Sequence, residues 1–116
     1  MATERDRRSV GLTPAAQRHV EDLIALGWFE DAQDLARFAM AYAIRRGVGA
    51  GAVEGQDTRW AIGNSDPDGE IQEVVRAVHP DNPTPVRLIE HLTNEGLRLL
   101  AERVDAGERD VAALLT

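Results

Sequence analysis

SVGLTPAAQRHVEDLIALGWFEDAQDLARFAMAYAIRRG, residues 9–47, reads as one short strand followed by two closely joined helices. Arg8, Val10 and Leu12 alternate with Arg7, Ser9 and Gly11, the period of an extended strand, so Val10 and Leu12 are expected to face the core and Arg7, Ser9 and Gly11 to face outward. Thr13-Pro14 then predicts a helix start, because Thr can cap free N–H groups and Pro is preset for the first helical position. Ala16, Val20, Leu23 and Ile24 form a single apolar stripe before the stop at Gly27, and Trp28 with Phe29 plug the turn. Asp31 and Asp34 resemble an acidic capping pair for the second helix, which ends at Arg45-Arg46-Gly47 with cations at its carbonyl end.

Leu35, Ala36, Phe38, Ala39, Met40, Tyr42, Ala43 and Ile44 make that second helix apolar around more than half its circumference. One facing stripe covers too little of it. The sequence therefore predicts a homo-oligomer, a dimer or tetramer, with Val10, Leu12, Leu35, Phe38, Ala39, Tyr42 and Ile44 at the contact between subunits.

Beyond Gly47 the signals are shorter. GVGAGAVEG, residues 47–55, is a Gly-rich connector without the Lys and Ser or Thr of a phosphate-binding loop and without dinucleotide spacing. Thr58 to Ile62 suggests a second short strand, followed by a turn-rich stretch from Gly63 to Gly69. Ile71, Val74, Val75 and Val78 recur at helical spacing until His79-Pro80 and Asn82-Pro83, since a residue before proline is pushed out of helical geometry. Thr84-Pro85 repeats the first helix start, and Leu88, Ile89, Leu92, Leu99, Leu100 and Val104 give a long helix ending at Gly107, with Gly96 permitting close approach of another backbone. An apolar tail, Val111 to Leu115, is expected to tuck onto a neighbour. The expected fold is mainly α: a polar arm over residues 1–8 and a single helical domain over 9–116, made of the strand-helix-helix unit 9–47 and a C-terminal strand and helices over 56–116.

Composition bounds the chemistry. The chain of 116 residues fits one domain, and its 43% hydrophobic and 28% charged residues are those of a globular protein. With no cysteine, disulfides, thiolate nucleophiles and Cys-ligated zinc are excluded. The apolar runs are too short for a membrane span and the first residues lack the apolar core of a signal peptide, so no membrane and a cytoplasmic location are expected. The net charge of −7 argues against indiscriminate phosphate binding. Its distribution is uneven: residues 1–50 are neutral, seven Arg against seven acids, whereas residues 51–116 carry six Arg and thirteen acids. Any nucleic-acid face therefore belongs to the first half, where Arg5, Arg7 and Arg8 cluster. Lysine is absent and the cations are all Arg, which genome base composition explains more readily than a preference for bidentate phosphate or carboxylate contacts.

The candidate DNA contacts are Arg5, Arg7, Arg8 and Ser9 on the arm and strand, with Arg45 and Arg46 as a second phosphate contact. Paired strands from two subunits can enter the major groove, where Arg bidentate to guanine is the commonest specific contact. Against this, Glu4 and Asp6 balance the arm, Asp31 and Asp34 put like charge where phosphate would dock, and the helix dipole already accounts for Arg45 and Arg46. His91 and Glu95 have the i, i+4 spacing of metal ligands but no third ligand nearby, so no metal site is assigned. Asp66 with Asp68 and Glu70 with Glu73 match no EF-hand loop and read as ordinary exposed acids. No catalytic motif is present, and neither enzymatic activity nor a cofactor is expected.

The strand, capped helix, Gly turn and second helix of residues 9–47 resemble the ribbon-helix-helix proteins of repressors and antitoxins. Over most of its length the chain resembles the DndE-like accessory family of bacterial DNA phosphorothioation systems. That likeness rests on Leu12-Thr13, the run Leu35-Ala36-Arg37-Phe38-Ala39, Gly47, Arg59-Trp60-Ala61 and the helical stretches Ile71 to Val78 and Leu88 to Val104. The resemblance implies an oligomer that associates with DNA through a basic surface, without catalysis by the subunit itself. This chain departs from the pattern in lacking lysine, in its acidic second half, and in Gly11, which can read no base edge. The expected role is a non-enzymatic DNA-associated accessory or regulatory protein of bacterial type. The alternative is an acidic protein–protein interaction module that presents its C-terminal half to a basic partner.

Overall fold

A computed structural model describes residues 5–53 and 57–115. The elements run β1 (Ser9–Leu12), α1 (Pro14–Ile24), α2 (Ala32–Arg45), β2 (Asp57–Ala61), α3 (Ile62–Ser65), α4 (Glu70–Val78), α5 (Pro85–Asp105) and a terminal 3-10 turn (Val111–Leu115). The molecule is mainly helical, with one antiparallel pair of strands.

Local chemistry sets the helix ends of the first half as its residues dictate. Thr13 caps α1 by accepting from the Ala16 N–H at 3.0 Å, with Pro14 in the first turn. Asp31 caps α2 by accepting from the Asp34 N–H at 2.9 Å, and Gly47 adopts φ 76° just beyond its end. A left-handed residue there lets the chain turn away at no Cβ cost. Phe29 leaves the α1–α2 turn to pack on Phe38, ring centroids 5.2 Å apart.

The long helix α5 is the spine. It covers α2 within the same chain and also touches α1, β1 and α4. At the crossing Gly96 lies so close to α2 that a Cβ there would overlap the Ala39 carbonyl. Two apolar clusters flank this crossing. One joins Leu12, Val20, Leu35, Tyr42, Leu97 and Leu100, and the other joins Val10, Met40, Ala43, Val75, Ile89 and Leu92. The far end of α5 is tied down by Arg103, which donates to the Tyr42 hydroxyl at 3.1 Å and pairs with Glu108 at 3.5 Å; the Tyr42 contact first, and Glu108 after it, raise the Arg103 pKa.

Several expectations change here. Val10, Leu12, Leu35, Ala39 and Tyr42, expected between subunits, are at most 4% exposed within one chain, because α5 supplies the surface that the strand-helix-helix unit lacks. Only Phe38 and Ile44 of that set stay half-exposed. The partner of β1 is β2 of the same chain, with Ser9 opposite Ala61 and Val10 opposite Trp60, and Arg59 is the extra residue of a bulge before Gly11 pairs with Thr58. The second strand spans Asp57–Ala61, and Ile62 already begins the short α3. The C-terminal turn folds onto its own core, where Leu114 is 2% exposed.

Because α2 and α5 meet backbone to backbone, Gly96→Ala is expected to destabilise the fold by about 2 kcal/mol through overpacking, more than the helix propensity of Ala returns. A urea unfolding midpoint equal to that of the unmodified protein would contradict this crossing.

Candidate interaction surface

The start of the described chain is bound to the body. Asp6 accepts from the Val86 and Arg87 N–H groups, both at 2.9 Å, and so caps α5 from outside that helix. Thr84, expected from sequence to cap it, makes no side-chain cap; its own N–H goes to Asn82. Arg87 Nε donates to the Arg5 carbonyl at 2.9 Å. Residues 5–8 of the expected arm are thus held in place. Residues 1–4 lie outside the described residues.

One turn further along α5 lies a buried polar group. Glu90, 1% exposed, accepts from the Gly11 N–H at 2.8 Å and from Arg7 Nη1 at 3.2 Å. Asn94, the next turn on the same face, donates to the Gly11 carbonyl at 3.0 Å and accepts from the Thr13 N–H at 3.0 Å. Gly11 is therefore buried, not outward as the strand period predicts, since α5 lies along that edge of β1. Both of its backbone groups are satisfied by side chains, which a buried strand edge requires.

These contacts sort the sequence-predicted residues. Arg7 is engaged with Glu90 and its side chain keeps 26% exposure. Arg5 and Arg8 are exposed. Ser9 meets Thr58 across the two strands, hydroxyl to hydroxyl at 3.3 Å. Arg59, which sequence reading passed over as a contact, is exposed beside them with its guanidinium 5.5 Å from the Trp60 ring centre. A Trp next to an Arg in a strand was the available signal. Arg45 and Arg46 stand together at the end of α2, and Arg46 lies over the Tyr42 ring at 5.8 Å. They belong to a different element from the Arg5 to Ser9 segment.

Other candidates resolve into structural roles. Glu95 takes Arg98 at 2.7 Å, which raises the Arg98 pKa, and Gly51 lies against the His91 ring. Among the described residues no group of three or more His, Asp or Glu could hold a metal ion. Asp66, read from sequence as an exposed loop acid, is 6% exposed and accepts from the Ile71 and Gln72 N–H groups at the start of α4. A narrow crevice of about 30 Å³ lies between Val10, Met40, Trp60, Ile71 and Ile89. Among the described residues no helix is long and apolar enough to cross a membrane.

No family model, curated protein or solved structure matches this chain.

Removing one side of the buried polar group leaves the other unpaired. Glu90→Ala strands the Gly11 N–H and the Arg7 charge, and is expected to cost about 3 kcal/mol in chemical denaturation. Asp6→Ala removes the external cap of α5 and a hydrogen bond from the Arg7 N–H, both at the partly exposed rim, for about 1 kcal/mol. Equal losses for the two variants would contradict the ranking.

Proposed function

We propose that this protein is a non-enzymatic, homo-oligomeric, DNA-associated accessory or regulatory protein, which meets DNA through the corner built from residues 5–9, the β1–β2 ribbon and the start of α5. The observation that carries this reading is how charge is sorted at that corner. Asp6 is turned onto the α5 amides and Glu90 is buried against Gly11 and Arg7, whereas Arg5, Arg8 and Arg59 face solvent. With Asp6 and Glu90 engaged internally, Arg5, Arg8 and Arg59 outnumber the exposed Asp57 of the ribbon among the described residues of this corner, although the chain carries a net charge of −7. A two-stranded ribbon also has the width to enter a major groove, with the Ser9 and Thr58 hydroxyls as polar contacts. Arg45 and Arg46 would supply the second phosphate contact. The resemblance to the DndE-like accessory family supports the same partner. In this mode the ribbon forms within one chain, so its DNA contact differs from the two-subunit ribbon of ribbon-helix-helix proteins.

A second reading, the acidic interaction module, draws on α4, where Val74 and Val78 are 51% and 43% exposed on a helix that begins with Glu70 and Glu73. Apolar side chains one turn apart beside acids suit a basic amphipathic partner.

Mobility shifts on duplex DNA at several salt concentrations separate the two. DNA binding is expected at low salt and to weaken steeply as salt rises. The Arg5→Ala/Arg8→Ala/Arg59→Ala variant, whose changes leave the Asp6 and Glu90 contacts intact, is expected to flatten the salt slope by about 2–3. No shift at low salt, or an unchanged slope in the triple variant, overturns the DNA reading.

A further inference from the structure

The outer face of α2 carries a charge pattern complementary to itself. Asp34, Phe38, Ala41 and Arg45 fall at i, i+4, i+7 and i+11, one stripe of the helix. Asp34, Ala41 and Arg45 are exposed and Phe38 is half-buried. Beside Phe38, Ala41 and Arg45 runs a shallow groove of about 310 Å³, lined also by Tyr42 and Ile44. Its walls are mostly apolar. The ends of the helix are charged: Glu30, Asp31 and Asp34 stand at its start and Arg45 and Arg46 at its end, all exposed.

We infer that this face binds the same face of a second copy of the chain, with the two α2 helices antiparallel about a two-fold axis. In that arrangement each residue meets the one equally far from the stripe's midpoint. Asp34 then faces Arg45 of the second copy, and Phe38 faces Ala41, twice over by symmetry. The pairing follows from three features. An isologous contact needs a self-complementary surface, and acids at one end with arginines at the other satisfy that need only when the helices run in opposite directions. Ala41 is small and exposed, so the second copy's Phe38 can fill the groove beside it. Antiparallel helices also set opposite dipole ends together. Among the described residues the Asp34 carboxylate has only an exposed contact with Arg37, 3.6 Å and a weak partner in water, while Arg37 also donates to the Ser65 carbonyl at 3.0 Å and so leans away from the stripe. Arg45 makes no ion pair among the described residues.

This surface differs from the one the sequence predicts, whose residues α5 covers. It deepens the homo-oligomer part of the proposed function and gives Arg45, offered there as a phosphate contact, to the contact between copies; sizing in the absence of nucleic acid tests it separately from DNA binding at the 5–9 corner.

The test uses the full chain and two charge reversals, Asp34→Arg and Arg45→Asp, with far-UV circular dichroism to confirm folding. The unmodified protein is expected to sediment as a dimer over a concentration series. Each single reversal sets like charges opposite each other twice and is expected to weaken the dimer at least tenfold. Mixed together, the two variants set a chain with arginine at both ends of the stripe against a chain with aspartate at both ends, and are expected to form a one-to-one heterodimer. Ala41→Glu, which puts a longer charged side chain where the second copy's Phe38 packs, is expected to abolish the dimer in every combination. A monomer at all concentrations, single variants that dimerise as well as the unmodified protein, or folded variants that fail to associate on mixing would each overturn the inference.

Discussion

The backbone of one residue, Gly11, fixes how the two halves of the chain meet. Its N–H and carbonyl point at α5, and a carboxylate and an amide one turn apart on that helix receive them. A strand edge buried against a helix has no water to satisfy its polar groups, so α5 must present matched acceptor and donor side chains there. Glu90 and Asn94 do so at helical spacing, and Arg7 neutralises the carboxylate that results. With this edge closed and the other paired to β2, the strand is enclosed by its own chain.

That closure makes the core intramolecular. Once β1 is set against α5, the helix passes over α2 at Gly96 and shields Leu35, Ala39 and Tyr42. The apolar circumference of α2, too broad for α1 alone, is divided between α1 and α5. What remains uncovered is narrow: Phe38, Ala41 and Ile44, bracketed by acids and arginines. A monomeric core and a small self-complementary face are compatible, because the first depends on apolar area within the chain and the second on shape and charge at the surface.

Charge at the N-terminal corner follows the same geometry. Counted along the sequence, the arm is a balanced mixture; in the fold Asp6 caps α5 and Glu90 of α5 anchors β1, while Arg5, Arg8 and Arg59 stay in solvent. Surface potential depends on which charges are exposed rather than on the net count, and at this corner the exposed charges among the described residues are Arg5, Arg8 and Arg59 against Asp57.

Short-range chemistry made the local elements legible: the Thr13-Pro14 start, the Asp31 cap, the turn at Gly47, the stop at His79-Pro80 and the long helix from Pro85 all depend on residues within a few positions of one another. The close approach at Gly96 was legible too, though not its partner. Of the candidate surface, Arg5 and Arg8 were legible as exposed cations, whereas Arg59 entered only through strand pairing. Long-range packing alone buries Gly11, brings Asp6 to cap a helix eighty residues away, pairs Arg7 with Glu90 and sets α5 where the apolar pattern predicts a second subunit. These contacts join residues far apart in the chain, and periodicity reports which face of an element is apolar without reporting which surface covers it.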